Sequence, residues 1–215
     1  MGTVQTYGDR ASIKIRDSAE RQFTTTDKLA LLNTIIEHDV YPALVHVESK
    51  MVYAAGDITT ADGTIEYTPS FSHNGFLKDG VWLDGEDWFL KEVHEADKVA
   101  YDYDSVESEP EAYYINEDGD AGFLWVPDDA YTVHCLYWNP VTALTDYDSD
   151  DLPYRVWEAY FEEDLTLRMM QILERDVSEQ AVIASIARQN AMNMTYRFGV
   201  RQYRQKSDMF SIEGI

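Results

Sequence analysis

The stretch from Asp146 to Phe198 constrains the fold most, because it joins an acidic loop to two long runs with helical periodicity. The first run repeats apolar residues every three or four positions, at Trp157, Tyr160, Phe161, Leu165, Met169, Ile172 and Leu173. The second run has a stripe at Ile183, Ala187, Ala191, Met194 and Phe198. Small alanines let two helices approach closely, so the pattern predicts a long helical hairpin.

The loop before the hairpin has four aspartates in six residues, namely Asp146, Asp148, Asp150 and Asp151. Asp150 or Asp151 can cap the next helix, and Pro153 suits its first turn. The loop begins like a calcium-binding loop, but it lacks the required glycine at its sixth position and the glutamate at its twelfth, which is Trp157. We therefore interpret the aspartates as turn and cap formers, and predict neither a metal ion nor a cofactor.

The N-terminal part is predicted to form an arm and a helix pair. Residues 1–23 are expected to be extended, with the alternating Ala11–Arg16 as an edge strand. Residues 24–56 carry two amphipathic patterns. Tyr41-Pro42 separates them, since the residue before a proline avoids the helical region.

Residues 57–145 have the short apolar runs and turn residues of a β-rich region. Ala61–Gly63 and Asp79-Gly80 are interpreted as hairpin turns. Glu117–Asp120 is interpreted as a turn between two further strands, and 92–103 as a short helix. The alternation over 131–138 predicts a strand. The fold class expected is α+β. The N-terminal helix pair and the C-terminal hairpin at 146–198 are expected to form a helical bundle, into which an antiparallel β region is inserted. Both termini are expected to be extended, with the C-terminal tail at 199–215.

Charge separates the chain into unlike parts. The net charge is −23, with twenty acids against three bases from Asp57 to Asp129. From Ala181 to Lys206 there are five bases and no acid. This balance argues against wrapping nucleic acid or binding an anionic membrane. It suits head-to-tail pairing of copies, or a surface to which a polyanion does not adhere.

Motifs for catalysis are weak. His94-Glu95 is followed by Lys98 where a zinc helix needs a second histidine. His134 and Cys135 are neighbours, so a strand would point them to opposite faces. We predict no catalytic residue and no enzyme. Two other classes stay open: an acidic-site metal-dependent hydrolase, whose carboxylates would pair only in space, and an acidic protein that mimics DNA.

Four segments resemble the head-to-tail connector, or adaptor, proteins of tailed bacteriophages. AYYINEDGDAGFLWVPDDAYTVHCLYWNPVTAL, 112–144, resembles their strand-turn-strand module and the strand that follows it. DYDSDDLPYRVWEAYFEEDLTLRM, 146–169, resembles their aspartate-rich loop, leucine-proline step and long helix, and 173–203 their returning helix. TTTDKLALLNTIIEHDVYPALVHVESKMVYAA, 24–55, resembles the helix pair at the start of such chains. The resemblance covers most of residues 24–206.

The resemblance implies a virion structural protein at the head-tail junction, assembled in the host cytoplasm. Its copies would form a ring, usually twelve-fold, between the portal protein and the tail or nozzle protein, and DNA would pass through without specific binding. A tail terminator or other tail-tube protein is the alternative. The hypothesised subunit-packing residues are Trp157, Phe161, Leu165 and Met169. The hypothesised portal-binding tail contains Arg201, Tyr203, Arg204, Met209, Phe210 and Ile212.

Overall fold

A computed structural model describes residues 3–17, 19–101 and 106–198. Within these residues the chain has five α-helices and two sheets, of three and four strands, in two compact units. Residues 3–52 and 141–198 belong to the helical unit, and residues 53–140 to the β unit. The predicted helical bundle with an inserted antiparallel β region is therefore wrong, because the strands build a compact unit of their own.

The N-terminus is helical rather than extended. Helix α1 spans Val4–Lys14, and the Thr3 side chain caps it by accepting a hydrogen bond from the Thr6 amide. Val4, Tyr7, Ala11 and Ile15 are buried. Their spacing of three or four residues is helical. The alternation in Ala11–Arg16 covered only the end of this stripe, which is why it indicated a strand.

The next helices continue through the proline. Helix α2 spans Thr25–Ile35, a π-helical turn spans Ile36–Val40, and helix α3 spans Tyr41–His46. Tyr41 is helical, with φ −60° and ψ −48°, so the predicted interruption there is wrong. The wider π turn accommodates a proline, which cannot donate a backbone hydrogen bond. Helix α3 instead ends at His46, shortly before Glu48, which adopts φ +49°.

The C-terminal hairpin consists of α4, Glu158–Ile172, and α5, Ser178–Phe198. Pro153 lies outside α4, because Tyr154 adopts a left-handed backbone with φ +59° and a short 3₁₀ turn, Arg155–Trp157, precedes the helix. Indole Nε1 of Trp157 donates to Thr195 Oγ1 at 3.1 Å. The side-chain amide of Gln180 donates to the Glu163 backbone carbonyl at 2.9 Å. These bonds join the two helices near both ends of the hairpin.

The β unit contains seven strands in its described residues: β1 (Tyr53–Thr59), β2 (Glu66–Tyr67), β3 (Phe76–Leu83), β4 (Lys91–Glu92), β5 (Ala112–Ile115), β6 (Ala121–Leu124) and β7 (Thr132–Trp138). One sheet has the order β1-β7-β3 and the other β2-β6-β5-β4. Alternating burial along β7, with Val133, Cys135 and Tyr137 inside, confirms the predicted strand. The hairpin β5–β6 also lies where the turn residues predicted it.

Four features of the β unit differ from the prediction. Ala61–Gly63 does not close a hairpin, because β1 pairs with β7 and β2 pairs with β6. Asp79-Gly80 does not turn the chain back: β3 runs through it with a register shift, and Asp79 has φ +52°. The region is not wholly antiparallel, because β4 pairs with β5 in parallel. The predicted helix at 92–103 is a 3₁₀ helix, Glu95–Tyr101. Both sheets contribute side chains to one apolar core that includes Phe76, Val81, Tyr113, Phe123 and Val133.

Candidate functional site

The aspartates of the acidic loop hold its turn. The Asp150 carboxylate accepts hydrogen bonds from the Thr145 and Asp146 amides at 2.7 and 2.8 Å. The Asp146 carboxylate accepts from Ser149 Oγ at 2.6 Å and from the Asp148 amide at 2.9 Å. The Ser149 hydroxyl does most to lower the pKa of Asp146, and the backbone amide of Asp146 most to lower the pKa of Asp150. Hydrogen bonds to the ionised form are the cause.

Tyr147 anchors this loop to the N-terminal helices. Its hydroxyl accepts a hydrogen bond from Lys28 Nζ at 3.1 Å and donates one to Asp9 Oδ1 at 3.1 Å. Its ring passes so close to Gly8 that a Cβ there would lie 2.0 Å from the hydroxyl oxygen. Burial, followed by the Asp9 charge, raises the pKa of Tyr147. The loop is therefore a packed part of the helical unit.

Lys28 is the buried cation at this anchor. Its side chain is fully buried, and Nζ lies 2.6 Å from Glu20 Oε1 and 3.7 Å from Asp9 Oδ1. The ammonium group also lies 4.9 Å from the centroid of the Tyr147 ring. A buried charge needs such partners, because leaving it unpaired is costly. Ion pairing, a hydrogen bond and a cation–π contact thus converge on one side chain.

The predicted packing residues form the interior of the helical unit. Trp157, Phe161, Leu165 and Met169 are each fully buried. Their role in subunit packing stays a prediction. Because they are covered within the subunit, their direct effect is to fix the position of α4 and, through Trp157 and Thr195, that of α5.

The apolar pattern in the sequence did not predict the exposed apolar face of α5. Its inner side buries Ala184, Ala191 and Thr195. The remaining sides of the helix expose large apolar residues: Val182, Ile183, Ile186, Met194 and Tyr196. We call these five residues the outer face of α5. The predicted stripe mixed both sides, since Ile183 and Met194 lie outside and Ala191 inside. One sequence signal could have revealed this face. If the small residues of α5, such as Ala184 and Ala191, pack against α4, the larger apolar residues of α5 are left without a covering helix.

The described part of the β unit places His134 and Cys135 apart, as the strand alternation predicted. His134 Nδ1 lies 2.8 Å from Asp57 Oδ1 on the partly exposed face of the sheet. Cys135 is fully buried, and burial raises the pKa of its thiol to about 12. A thiol is unreactive unless it is deprotonated. This pair therefore supplies no nucleophile near neutral pH.

Among residues 3–17, 19–101 and 106–198, no group of three or more histidine, cysteine, aspartate or glutamate side chains is arranged to hold a metal ion. Over the same residues, no helix is both long and apolar enough to cross a bilayer. The hypothesised portal-binding residues Arg201, Tyr203, Arg204, Met209, Phe210 and Ile212 lie outside the described residues.

No protein-family model matches the chain, and no curated protein matches it in sequence.

Proposed function

We propose that this chain is a structural protein of a tailed-bacteriophage particle, whose copies form a ring that joins the portal to the tail. DNA passes through the ring without specific binding, and the protein catalyses no reaction. A tail terminator or another tail-tube protein is the nearest alternative. The proposal starts from the resemblance of residues 24–206 to connector proteins.

The outer face of α5 is the observation that carries the proposal. Five large apolar side chains lie exposed along one helix, with Val182 59% and Ile186 56% accessible. Val182, Ile183 and Ile186 form an exposed apolar cluster near the start of α5, which exposed Gln189, Asn190 and Asn193 separate from Met194 and Tyr196. Clusters of exposed apolar side chains mark protein interfaces. The helix belongs to the hairpin for which the resemblance implies a role in ring building. An assembling subunit accounts for both features.

The charge of the β unit supports passage of DNA. Residues 53–140 contain twenty acids and three bases, a net charge of −17. Many of the carboxylates lie on exposed residues, such as Asp57, Asp62 and Asp84. A surface with this charge repels the phosphate backbone. A ring whose channel includes part of this surface would therefore let DNA slide without adhering.

Deleting residues 209–215 tests the portal contact. We expect the truncated subunit to unfold at the same urea concentration as the full chain, but to bind its portal at least about a hundredfold more weakly. The reason is that Met209, Phe210 and Ile212 are the apolar anchors of the tail, and fully buried side chains of this size are each worth about 1.5–3 kcal/mol. Binding is measured by co-sedimentation with purified portal rings of the same phage.

A matched pair of variants separates the anchors from the length of the tail. Met209→Ser/Phe210→Ser/Ile212→Ser should reproduce the loss of binding. Ser207→Ala/Ser211→Ala/Glu213→Gln alters neighbouring positions and should bind like the full chain. Unchanged portal binding after the deletion would refute the tail contact. A full chain that does not bind portal at all would refute the proposed function.

A further inference from the structure

We propose that the outer face of α5 docks on a second copy of this chain, in the acidic groove beside the 3₁₀ helix Glu95–Tyr101. The contact is head to tail, with α5 of one subunit on the β unit of the next. This inference rests on the proposed ring and names the two surfaces that would build it.

The shape and composition of α5 define one partner of the contact. Successive residues of a helix turn by about 100°, so Val182, Ile186 and Met194 lie on the same side, with Ile186 near the middle. Arg197 is exposed on this side as well. From Ala181 to the end of α5 there is no acidic residue. This side of α5 is apolar from Val182 to Ile186, carries exposed amides at Gln189, Asn190 and Asn193, and is basic at Arg197. Its partner should therefore offer apolar contacts, hydrogen-bonding groups and an acidic edge.

The β unit contains a groove with this composition. Its volume is about 670 Å³, and its lining includes the apolar residues Ala96 and Val99. Val99 is 71% accessible, the highest value among the large apolar side chains of the described residues. Four carboxylates line the groove, those of Glu66, Glu95, Glu117 and Asp118.

Only one lysine offsets those carboxylates within the described lining. Lys98 Nζ lies 3.4 Å from Glu95 Oε1 and 3.8 Å from Glu66 Oε1. Glu117 and Asp118 lie beyond this pair, at the turn between β5 and β6. They therefore supply the negative edge that can meet Arg197 of an incoming α5.

Charge also selects a head-to-tail contact over a symmetric one. Two α5 faces packed together would bring like charges of Arg197 towards each other, and two grooves would bring together eight carboxylates and two lysines. Unlike surfaces on one subunit generate a ring when the rotation between subunits closes. The two surfaces of this chain are of that heterologous kind.

Site-directed cross-linking tests the contact. Cys135 is the only cysteine and is fully buried, so engineered thiols report without background. Ile186→Cys and Val99→Cys are made as separate full-length variants, mixed at assembly concentration with portal rings present, and treated with a short bis-maleimide. We expect a covalent dimer that contains one copy of each variant. The double variant should give a ladder of multimers.

A control variant shows whether the cross-linked dimer reports a specific contact. Ile13→Cys is as exposed as the test positions, at 65% accessible on α1, and mixed with Val99→Cys it should give at most a tenth of the yield. A dimer from Ile186→Cys alone would overturn the head-to-tail contact in favour of a symmetric α5 pair. Equal yields with the α1 control, or no cross-link, would also overturn it.

A charge exchange provides a second readout. Arg197→Glu should weaken self-association by about tenfold, and adding Glu117→Arg on the same chain should restore it. If rings bind portal while neither the cross-link nor the rescue is seen, the inference fails and the proposed function stands. If both are seen but portal is not bound, the contact between copies stands and the portal role fails.

Discussion

We expect Phe161→Ala to lower the free energy of unfolding by about 3–5 kcal/mol. Phe161 is fully buried in α4, so truncation removes its apolar contacts and leaves a cavity that the neighbouring helices fill only in part. The measurement is urea unfolding of the full chain, followed by far-ultraviolet circular dichroism.

Ile172→Ala is the matched control. It truncates another large apolar residue of the same helix, but Ile172 is 59% accessible. We expect a change within about 0.5 kcal/mol, because an exposed side chain loses little on truncation. A loss below about 1 kcal/mol for Phe161→Ala would contradict its place in the core of the helical unit.

Lys28→Ala is expected to cost about 3 kcal/mol. The substitution removes a buried ammonium group, so Glu20 loses its ion-pair partner and the Tyr147 hydroxyl loses a hydrogen-bond donor. Truncating the fully buried stem to alanine leaves a cavity that costs about 2 kcal/mol. Loss of the ion pair adds about 1 kcal/mol, because the Glu20 side chain is 40% exposed and can be hydrated. Calorimetric or urea unfolding at neutral pH measures the loss.

Lys28→Met separates the effect of charge from that of packing at position 28, and Lys14→Met is a control at an exposed ion pair. Lys28→Met keeps most of the apolar stem and should cost only about 1 kcal/mol, because Glu20 and Asp9 are partly exposed and can be hydrated. Lys14→Met removes contacts to two carboxylates, Glu162 and Glu163. It should also cost no more than about 1 kcal/mol, since surface ion pairs contribute little. Equal losses for Lys14→Met and Lys28→Ala would contradict the anchor.

Local signals account for the elements that the sequence predicted well. The C-terminal hairpin and β7 each have a long, regular apolar period, and the turn at 117–120 has the residues of a hairpin loop. The loop aspartates were assigned correctly to turn formation. The predicted cap by Asp150 or Asp151 is wrong, because Trp157 is the N-cap residue of α4 and no side chain in the described part of the chain caps that helix. Each of these predictions depended on residues close together in the chain.

The wrong predictions concern strand pairings and a helix that depend on contacts between residues far apart in the sequence. Strand β1 pairs with β7 rather than with its neighbour β2, and β2 pairs with β6. The Asp79-Gly80 signal fits a turn and a bulge equally well, and pairing of β3 with β7 selects the bulge. Helix α1 was missed because its stripe is covered by α4, far along the chain.

The features of the candidate site were likewise predicted only where they depend on local sequence. The hairpin was found from its period, but the period does not say which side of α5 faces the core, so the outer face was not predicted. Lys28 and Tyr147 are 119 positions apart, and nothing in the neighbourhood of either residue signals their contact. The fold brings them together by packing α1 and α2 against the acidic loop.

The mass of the assembled particle tests the central proposal most directly. Sedimentation velocity or native mass spectrometry is applied to the full chain alone and with purified portal rings of the same phage. We predict a closed ring whose mass is a whole multiple of 24.7 kDa, about 300 kDa for twelve subunits, bound to the portal. A chain that stays monomeric in both samples, or that joins tail tubes and not the portal, would contradict it.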